Sequence, residues 1–530
     1  MKTTRRIASL LLALVMVIAM AAPVWAADDG TTNTITISNT TEGYTYVAYR
    51  VFEGTLDETT NELQNLDWSD GVNAADLLTA LKSIEVNDVK PFASCVTAVD
   101  VATVLDGITA KDDAITQAFA DAVAANLASP TGSANEVTEG EGYVISVTGD
   151  GYYFVKTTVV PSVTGDTAEG SYTRYILKVV GDVTVTHKGN VPSVEKKIVE
   201  DGTDVDASDA AIGDKVTFKL TATLPSDYDY YKSYKLVFHD TLSKGLTYNG
   251  DAQVYITSAD GTNITSYFTI DPNAAQTTGG GSLTITCADL TQISDVTNSS
   301  EIVVIYTATL NNDAEVRSEG NPNTVKLEYS NNPNEDGSGT PSTGETPDDK
   351  VIVFTYELDV TKVDGVDDSI KLKDAEFKLY RVNDDEENEY AVVDSNGKIT
   401  GWTTTETEAS TLTTGENGLF KIAGLDAGTY YLKETKAPAG YNLPDEDFKV
   451  VITAEVTLTE IKSLDVTVGG EDGTGNTNTG IVEGTIANNS GATLPETGGI
   501  GTTIFYVVGG LLVAAAVVLL VTKRRMGAAE

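Results

Sequence analysis

The apolar residues of this 530-residue chain follow two periods. Residues 34–38 set Ile35 and Ile37 on one side and Thr34, Thr36 and Ser38 on the other. Residues 44–52 continue in aromatic and β-branched side chains, so both runs predict strands with one buried face. Residues 74–84 and 112–127 instead repeat apolar positions at spacings of three and four, which predicts two or three helices in this region. Strands are predicted again at 142–147, 151–158 and 172–180. Period two then dominates, at 215–223, 236–240, 253–256, 282–287, 301–310 and 323–329, with Gly, Asn, Asp and Pro clusters between the runs. Short strands at that spacing predict an immunoglobulin-like β-sandwich. Residues 331–350 are rich in Asn, Pro, Gly, Ser, Thr and Asp and read as a linker or long exposed loop; 351–356 is a strand leading into a further unit.

Two longer apolar runs do not belong to this scheme. Residues 7–22 carry no charge, follow Lys2, Arg5 and Arg6, and lead to Val24-Trp25-Ala26, which predicts a secretory signal peptide over 1–26. Residues 504–521 are also uncharged. At ~1.5 Å per residue they span roughly 27 Å, close to the ~30 Å of a hydrocarbon core. A transmembrane helix is therefore expected at 504–522, with Lys523, Arg524 and Arg525 in a cytoplasmic basic tail at 523–530. The remainder divides into about three domains, at 27–187, 188–350 and 351–490. The fold class is mainly β: tandem sandwiches behind an N-terminal domain with a helical insertion.

Composition narrows the function. With 35 basic and 78 acidic residues the formal charge is −43, which repels nucleic acid and anionic lipid. The only cysteines, Cys95 and Cys287, fall in different domains and read as small core residues, so something other than disulfides must resist unfolding. The only histidines are His187 and His239, and the chain contains no GxSxG, HExxH or paired-cysteine spacing. No metal, cofactor or multiple-turnover chemistry is expected. The acidic run Asp384-Asp385-Glu386-Glu387-Asn388 lacks the spacing of a calcium loop and reads as a solvated turn.

Four motifs carry the function. Leu494-Pro495-Glu496-Thr497-Gly498, ahead of the apolar run and basic tail, resembles the sorting signal of Gram-positive surface proteins. That resemblance implies that a sortase cuts between Thr497 and Gly498 and passes the new carboxyl end to an amine. Val183 to Pro192 contains Lys188 between two domains and resembles the pilin motif of sortase-assembled shaft subunits, in which such a lysine is the acceptor. The family often places Tyr-Pro before that lysine and Asn after it, where this chain has Thr186-His187 and Gly189.

Phe238-His239-Asp240-Thr241-Leu242 and Asn323-Thr324-Val325-Lys326-Leu327 resemble the middle domain of fimbrial shaft subunits. The resemblance implies an intramolecular isopeptide bond between Lys196 and Asn323 beside Asp240, with Asn321 as second choice. Leu358-Asp359-Val360-Thr361-Lys362, Gly418-Leu419-Phe420-Lys421-Ile422 and Tyr430-Tyr431-Leu432-Lys433-Glu434 resemble the collagen-adhesin B-type (Cna B-type) domain. Here the implied bond joins Lys362 to Asn488 beside Glu434, with Asn489 as alternative.

Elementary chemistry agrees with these residue types. An amine attacks a carboxamide only as free base, and a lysine of ordinary pKa ~10.4 is almost wholly protonated in water. Burial lowers a lysine's pKa and raises a carboxyl's, and near-attack geometry supplies effective molarities on the order of 10⁵ M or more. The implied function is a pilus shaft subunit. Its implied partners are a sortase, further copies of itself, peptidoglycan or a basal pilin, and a host surface ligand. The other reading is a monomeric wall-anchored adhesin, which would need no linker lysine.

Overall fold

The computed structural model describes residues 32–491 and 500–526, apart from 61, 109–113, 259, 273–279, 336 and 384. The expected signal peptide and the sorting motif 494–498 lie outside the described residues.

In the N-terminal domain Thr32–Ser38 pairs antiparallel with Tyr143–Thr148 and parallel with Val183–Thr186. The alternation noted in the sequence turns Ile35 and Ile37 inward, where they meet Tyr46, Tyr153 and Tyr175 of a second sheet. That second sheet is buried on both faces. Its far side presents Phe52, Phe154 and Ile176 to the helices Ala74–Ser83, Ala98–Asp106 and Ala114–Ala125. The middle helix lies between the two helical runs singled out by periodicity. It starts from a capping box, in which Thr97 and Asp100 satisfy each other's backbone donors. Cys95 is buried beside it, and Cys287 is buried in the middle domain.

The middle domain is a two-sheet sandwich, and all six predicted runs are strands. One sheet contains Ser193–Glu200, Lys215–Thr223, Glu301–Leu310 and Gln253–Ile256, in that order. The facing sheet contains Gly281–Cys287, Leu236–Leu242 and Arg317–Ser330. Parity places Asn323, Val325, Leu327 and Tyr329 inward, and it turns Lys196 to the core while Lys197 faces out to Asp206 at 2.7 Å.

Two features differ from the sequence reading. Residues 331–350 do not form a free linker: Thr343–Glu345 pairs with Arg317–Ser330, and Asn331 and Thr346 are buried. Glu345 O accepts from Glu169 N at 2.9 Å and Asn331 O from Tyr172 N at 2.8 Å, which ties this segment to the N-terminal domain. The strand expected at 351–356 is also longer, running Asp349–Asp364. Its first half completes the middle domain by pairing with Arg317–Ser330, and its second half pairs with Leu419–Leu425 and Ile481–Asn488 of the third domain. One strand thus serves two sandwiches, and a single apolar core runs from Ile198 to Ile486.

The second sheet of the third domain includes Glu376–Val382, Gly428–Lys436, Phe448–Val456 and Ile461–Val468. Side chains fasten this domain to the middle one. Arg381 forks onto Asp214 at 2.7 and 2.9 Å, its guanidinium lies 4.1 Å from the centre of the Trp402 ring, and Trp402 Nε1 donates to Ile212 O at 2.9 Å.

Residues Ile500–Met526 form a helix whose described side chains, 505–520, are exposed. Among the described residues no helix is long and apolar enough to cross a membrane. The membrane span expected at 504–522 falls partly outside the described residues, since the side chains of 504 and 521–522 are not among them.

Candidate functional site

Three places in the fold gather the residues singled out by sequence. In the third domain Lys362 and Asn488 sit on neighbouring parallel strands, Asp349–Asp364 and Ile481–Asn488, while Glu434 reaches in from the facing sheet on Gly428–Lys436. All three side chains are buried. Lys362 Nζ donates to Glu434 Oε2 at 2.8 Å and to Asn488 Oδ1, and Asn488 Nδ2 donates to Glu434 Oε1 at 2.6 Å. The Phe377 and Phe448 rings cover the ammonium, with centroids 5.3 and 4.9 Å from Nζ. Burial therefore pushes the Lys362 pKa down, against the pull of Glu434. Asn489 is exposed and lies over Gly365, away from this cluster.

The middle-domain cluster spans the sandwich instead of one sheet. Lys196 comes from Ser193–Glu200, whereas Asp240 and Asn323 come from the opposite sheet, and none of the three is exposed to solvent. Lys196 Nζ donates to Asp240 Oδ2 at 2.5 Å. Desolvation drives the Lys196 pKa down and the Asp240 pKa up, so both shifts favour the neutral amine and neutral acid. Asn321, the second choice, is committed elsewhere: its Oδ1 accepts from Glu315 N at 2.8 Å and its Nδ2 donates to Glu315 O and Val353 O.

Sequence reasoning missed Tyr306, on Glu301–Leu310. Its hydroxyl accepts from Lys196 Nζ at 3.2 Å and from Asn323 Nδ2 at 2.7 Å, and donates to Asp240 Oδ2 at 2.9 Å. In the sequence it is one more aromatic on the buried face of an alternating strand, and nothing there distinguishes it.

Lys188 lies just past the end of Val183–Thr186, at the junction of the N-terminal and middle domains, and is half-buried. Its neighbours fix the main chain. The Tyr46 hydroxyl accepts from Asn39 Nδ2 at 2.8 Å, which leaves its own proton for His187 Nδ1 at 3.0 Å. Tyr44 packs edge-on against the same imidazole, with centroids 5.0 Å apart. Burial pushes the His187 pKa down to about 4, so the ring is neutral at physiological pH. A Cβ at Gly189 would lie 2.5 Å from His187 Nε2, so glycine is what lets the chain pass over the ring. Asn190 Nδ2 then donates to Ser226 Oγ at 2.8 Å, on the middle domain. Thr497 and Gly498 lie outside the described residues.

Comparison with known proteins places family resemblance over each half of this arrangement. Residues 212–333 match the Cna-B-like domain of Gram-positive pilin backbone subunit 2, residues 356–465 a prealbumin-like fold domain, and residues 486–526 the LPXTG cell wall anchor motif. The chain is similar to the trypsin-resistant surface T6 protein of Streptococcus pyogenes, 28% identical over 52% of this chain and 48% of that protein. It is also similar to the fimbrial subunit type 2 of Actinomyces naeslundii, 27% identical over 47% of this chain and 50% of that protein. The chain thus spans about half the length of the curated relatives it matches. In fold it is similar to the T6 backbone pilin of serotype M6 Streptococcus pyogenes, with a TM-score of 0.50 and 18% identity, covering 88% of this chain and 100% of the other.

Proposed function

We propose that this chain, a cell-wall-anchored surface protein carrying a pilin-backbone Cna-B-like domain, a prealbumin-like domain and an LPXTG anchor motif, is the shaft subunit of a sortase-polymerised pilus. It is a structural protein and not an enzyme. Sortase cleaves after Thr497 and transfers the acyl group to Lys188 of the next copy, and the last copy passes to peptidoglycan or a basal pilin.

The observation that carries the reading is the triad Lys362, Glu434 and Asn488, buried and mutually hydrogen-bonded on the first and last long strands of the third domain. A buried lysine beside a single carboxylate is weak as a stabilising device, because desolvation offsets most of the Coulomb attraction. The same arrangement suits amide exchange. Glu434 takes a proton from the Lys362 ammonium, the freed amine attacks the Asn488 Cγ, Glu434 returns that proton to Nδ2, which leaves as ammonia, and the second proton shed by the Lys362 nitrogen ends on Glu434. The product is one amide bond, formed once. Lys196, Asp240 and Asn323 do the same in the middle domain, so the fibre resists tension without disulfides.

The test is a strain in which the only change is Lys188→Ala. Its high-molecular-weight ladder on denaturing gels disappears while wall-anchored monomer persists. An unchanged ladder would remove Lys188 as acceptor, and a wild-type strain with monomer alone would favour the adhesin reading.

A further inference from the structure

The two clusters solve one geometric problem differently. In the third domain the acid is a glutamate, whose two oxygens reach both reactants: Oε2 takes Lys362 Nζ and Oε1 takes Asn488 Nδ2. In the middle domain the acid is an aspartate, one methylene shorter. Asp240 Oδ2 reaches Lys196, but Asp240 Oδ1 and Asn323 Oδ1 are both buried without a hydrogen-bond partner, and no bond joins the acid to the amide. The hydroxyl of Tyr306 fills the gap, within 3.2 Å of the amine, 2.9 Å of the acid and 2.7 Å of the amide nitrogen.

We infer that Tyr306 is a catalytic residue of the middle-domain cross-link, relaying a proton from Asp240 to the departing nitrogen of Asn323. The inference rests on the reading of this cluster as an isopeptide site. Lys196 first gives one ammonium proton to Asp240 Oδ2. The amine lone pair then forms the N–C bond at Asn323 Cγ, and the carbonyl electrons move to Oδ1. As they return, the bond from Cγ to Nδ2 breaks. Asp240 Oδ2–H passes its proton to the Tyr306 oxygen while the phenolic proton moves to Nδ2, and ammonia departs. The second proton lost by Lys196 ends on Asp240, and Tyr306 is regenerated.

Two features suit the side chain to this role. Its ring is fixed between Phe218, stacked at 5.3 Å, and Tyr248, edge-on at 5.7 Å, so the hydroxyl stays aimed at the cluster. Burial holds the phenol far above its usual pKa, so it carries a proton to donate at every physiological pH.

The experiment follows the Lys196–Asn323 branched peptide by mass spectrometry in the full chain, at intervals after synthesis. The Lys362–Asn488 peptide of the same molecules serves as an internal clock. Tyr306→Phe slows the first link by ~10²-fold, the usual contribution of a positioned proton donor, and leaves the second at its normal rate. Tyr248→Phe, which removes a nearby hydroxyl outside the relay, leaves both unchanged. Combining Tyr306→Phe with Asp240→Glu restores the first link, because the longer acid reaches the amide directly, as Glu434 does. A wild-type rate in Tyr306→Phe, or a folded double variant that does not recover the link, would overturn the relay. A wild-type chain with no link in the middle domain would instead remove the cross-link reading beneath it.

Discussion

Lys362 stands opposite Ile486 in a parallel pairing, and Asn488 lies one side chain further along the same face, opposite Asp364. The lysine amine therefore reaches diagonally to the Asn488 carboxamide, close to the point where the chain leaves the fold toward Thr497. Tension entering at the sorting motif meets this pair before it reaches the rest of the third domain. Replacing the bridging acid tests whether the pair is bonded. Glu434→Gln leaves the intact mass about 17 Da above that expected for the cross-linked chain, the mass of one retained ammonia. The Lys362–Asn488 branched peptide disappears while the middle-domain link remains. A chain that keeps the branched peptide would show that Glu434 is not the proton carrier.

The middle-domain link should also matter for thermal stability, because it ties the two facing sheets of the sandwich together. By analogy with a disulfide closing a loop of on the order of 100 residues, its loss costs ~4–5 kcal/mol. Asn323→Ala also removes the amide that donates to the Tyr306 hydroxyl at 2.7 Å. Differential scanning calorimetry should show the joint transition of the middle and third domains falling by several degrees. An unchanged transition would contradict a covalent link from Asn323.

Much of this was legible in the sequence, for identifiable reasons. Lys362, Glu434 and Asn488 sit in runs with strong alternation, and strand parity alone turns Asn488 inward and Asn489 outward. Parity does not separate Asn323 from Asn321, which share a face and are both buried; only the Pro322 that follows Asn321 makes it the second choice. Tyr306 could not be found, because its role depends on which strand faces which across the sandwich. The segment 331–350 was misread because its composition is that of a loop. What holds it is tertiary: Asn331 Nδ2 donates to Gly170 O, and Asp349 Oδ2 accepts from Lys196 N at 2.6 Å. Nor does any local pattern tell that one strand, Asp349–Asp364, belongs to two domains.

The junction around Lys188 carries a pH signature. Burial pushes the Asp227 carboxyl up to about 7, beside the Ser226 hydroxyl that holds Asn190. A carboxyl raised in the folded state binds protons more tightly there than in the unfolded chain. Its contribution to stability is complete below the ordinary carboxylate range, about pH 4, and is lost as pH rises through about 7. Asp227→Asn should therefore melt at the same temperature as the wild type at pH 4 and several degrees higher at pH 8. Equal melting temperatures at pH 8 would show that Asp227 is not held in its acid form by the fold.

The middle and third domains should behave as one stiff unit. They share a strand and a core, and Arg381 forks onto Asp214 while lying against Trp402. Arg381→Ala removes charged hydrogen bonds worth about 1.5–3 kcal/mol each and leaves Asp214 without this partner. Calorimetry should resolve separate melting transitions for the two domains in the variant where the wild type shows one. A single unshifted transition would mean that the shared strand alone couples them.

The central claim is a covalent joint between copies, and branched-peptide mass spectrometry of the cell-wall fraction tests it most directly. A digest of the high-molecular-weight polymer should yield one peptide ending at Thr497 joined through its carboxyl carbon to the Nζ of Lys188. Thr497 found only on peptidoglycan, or on a different lysine of the chain, would contradict the account.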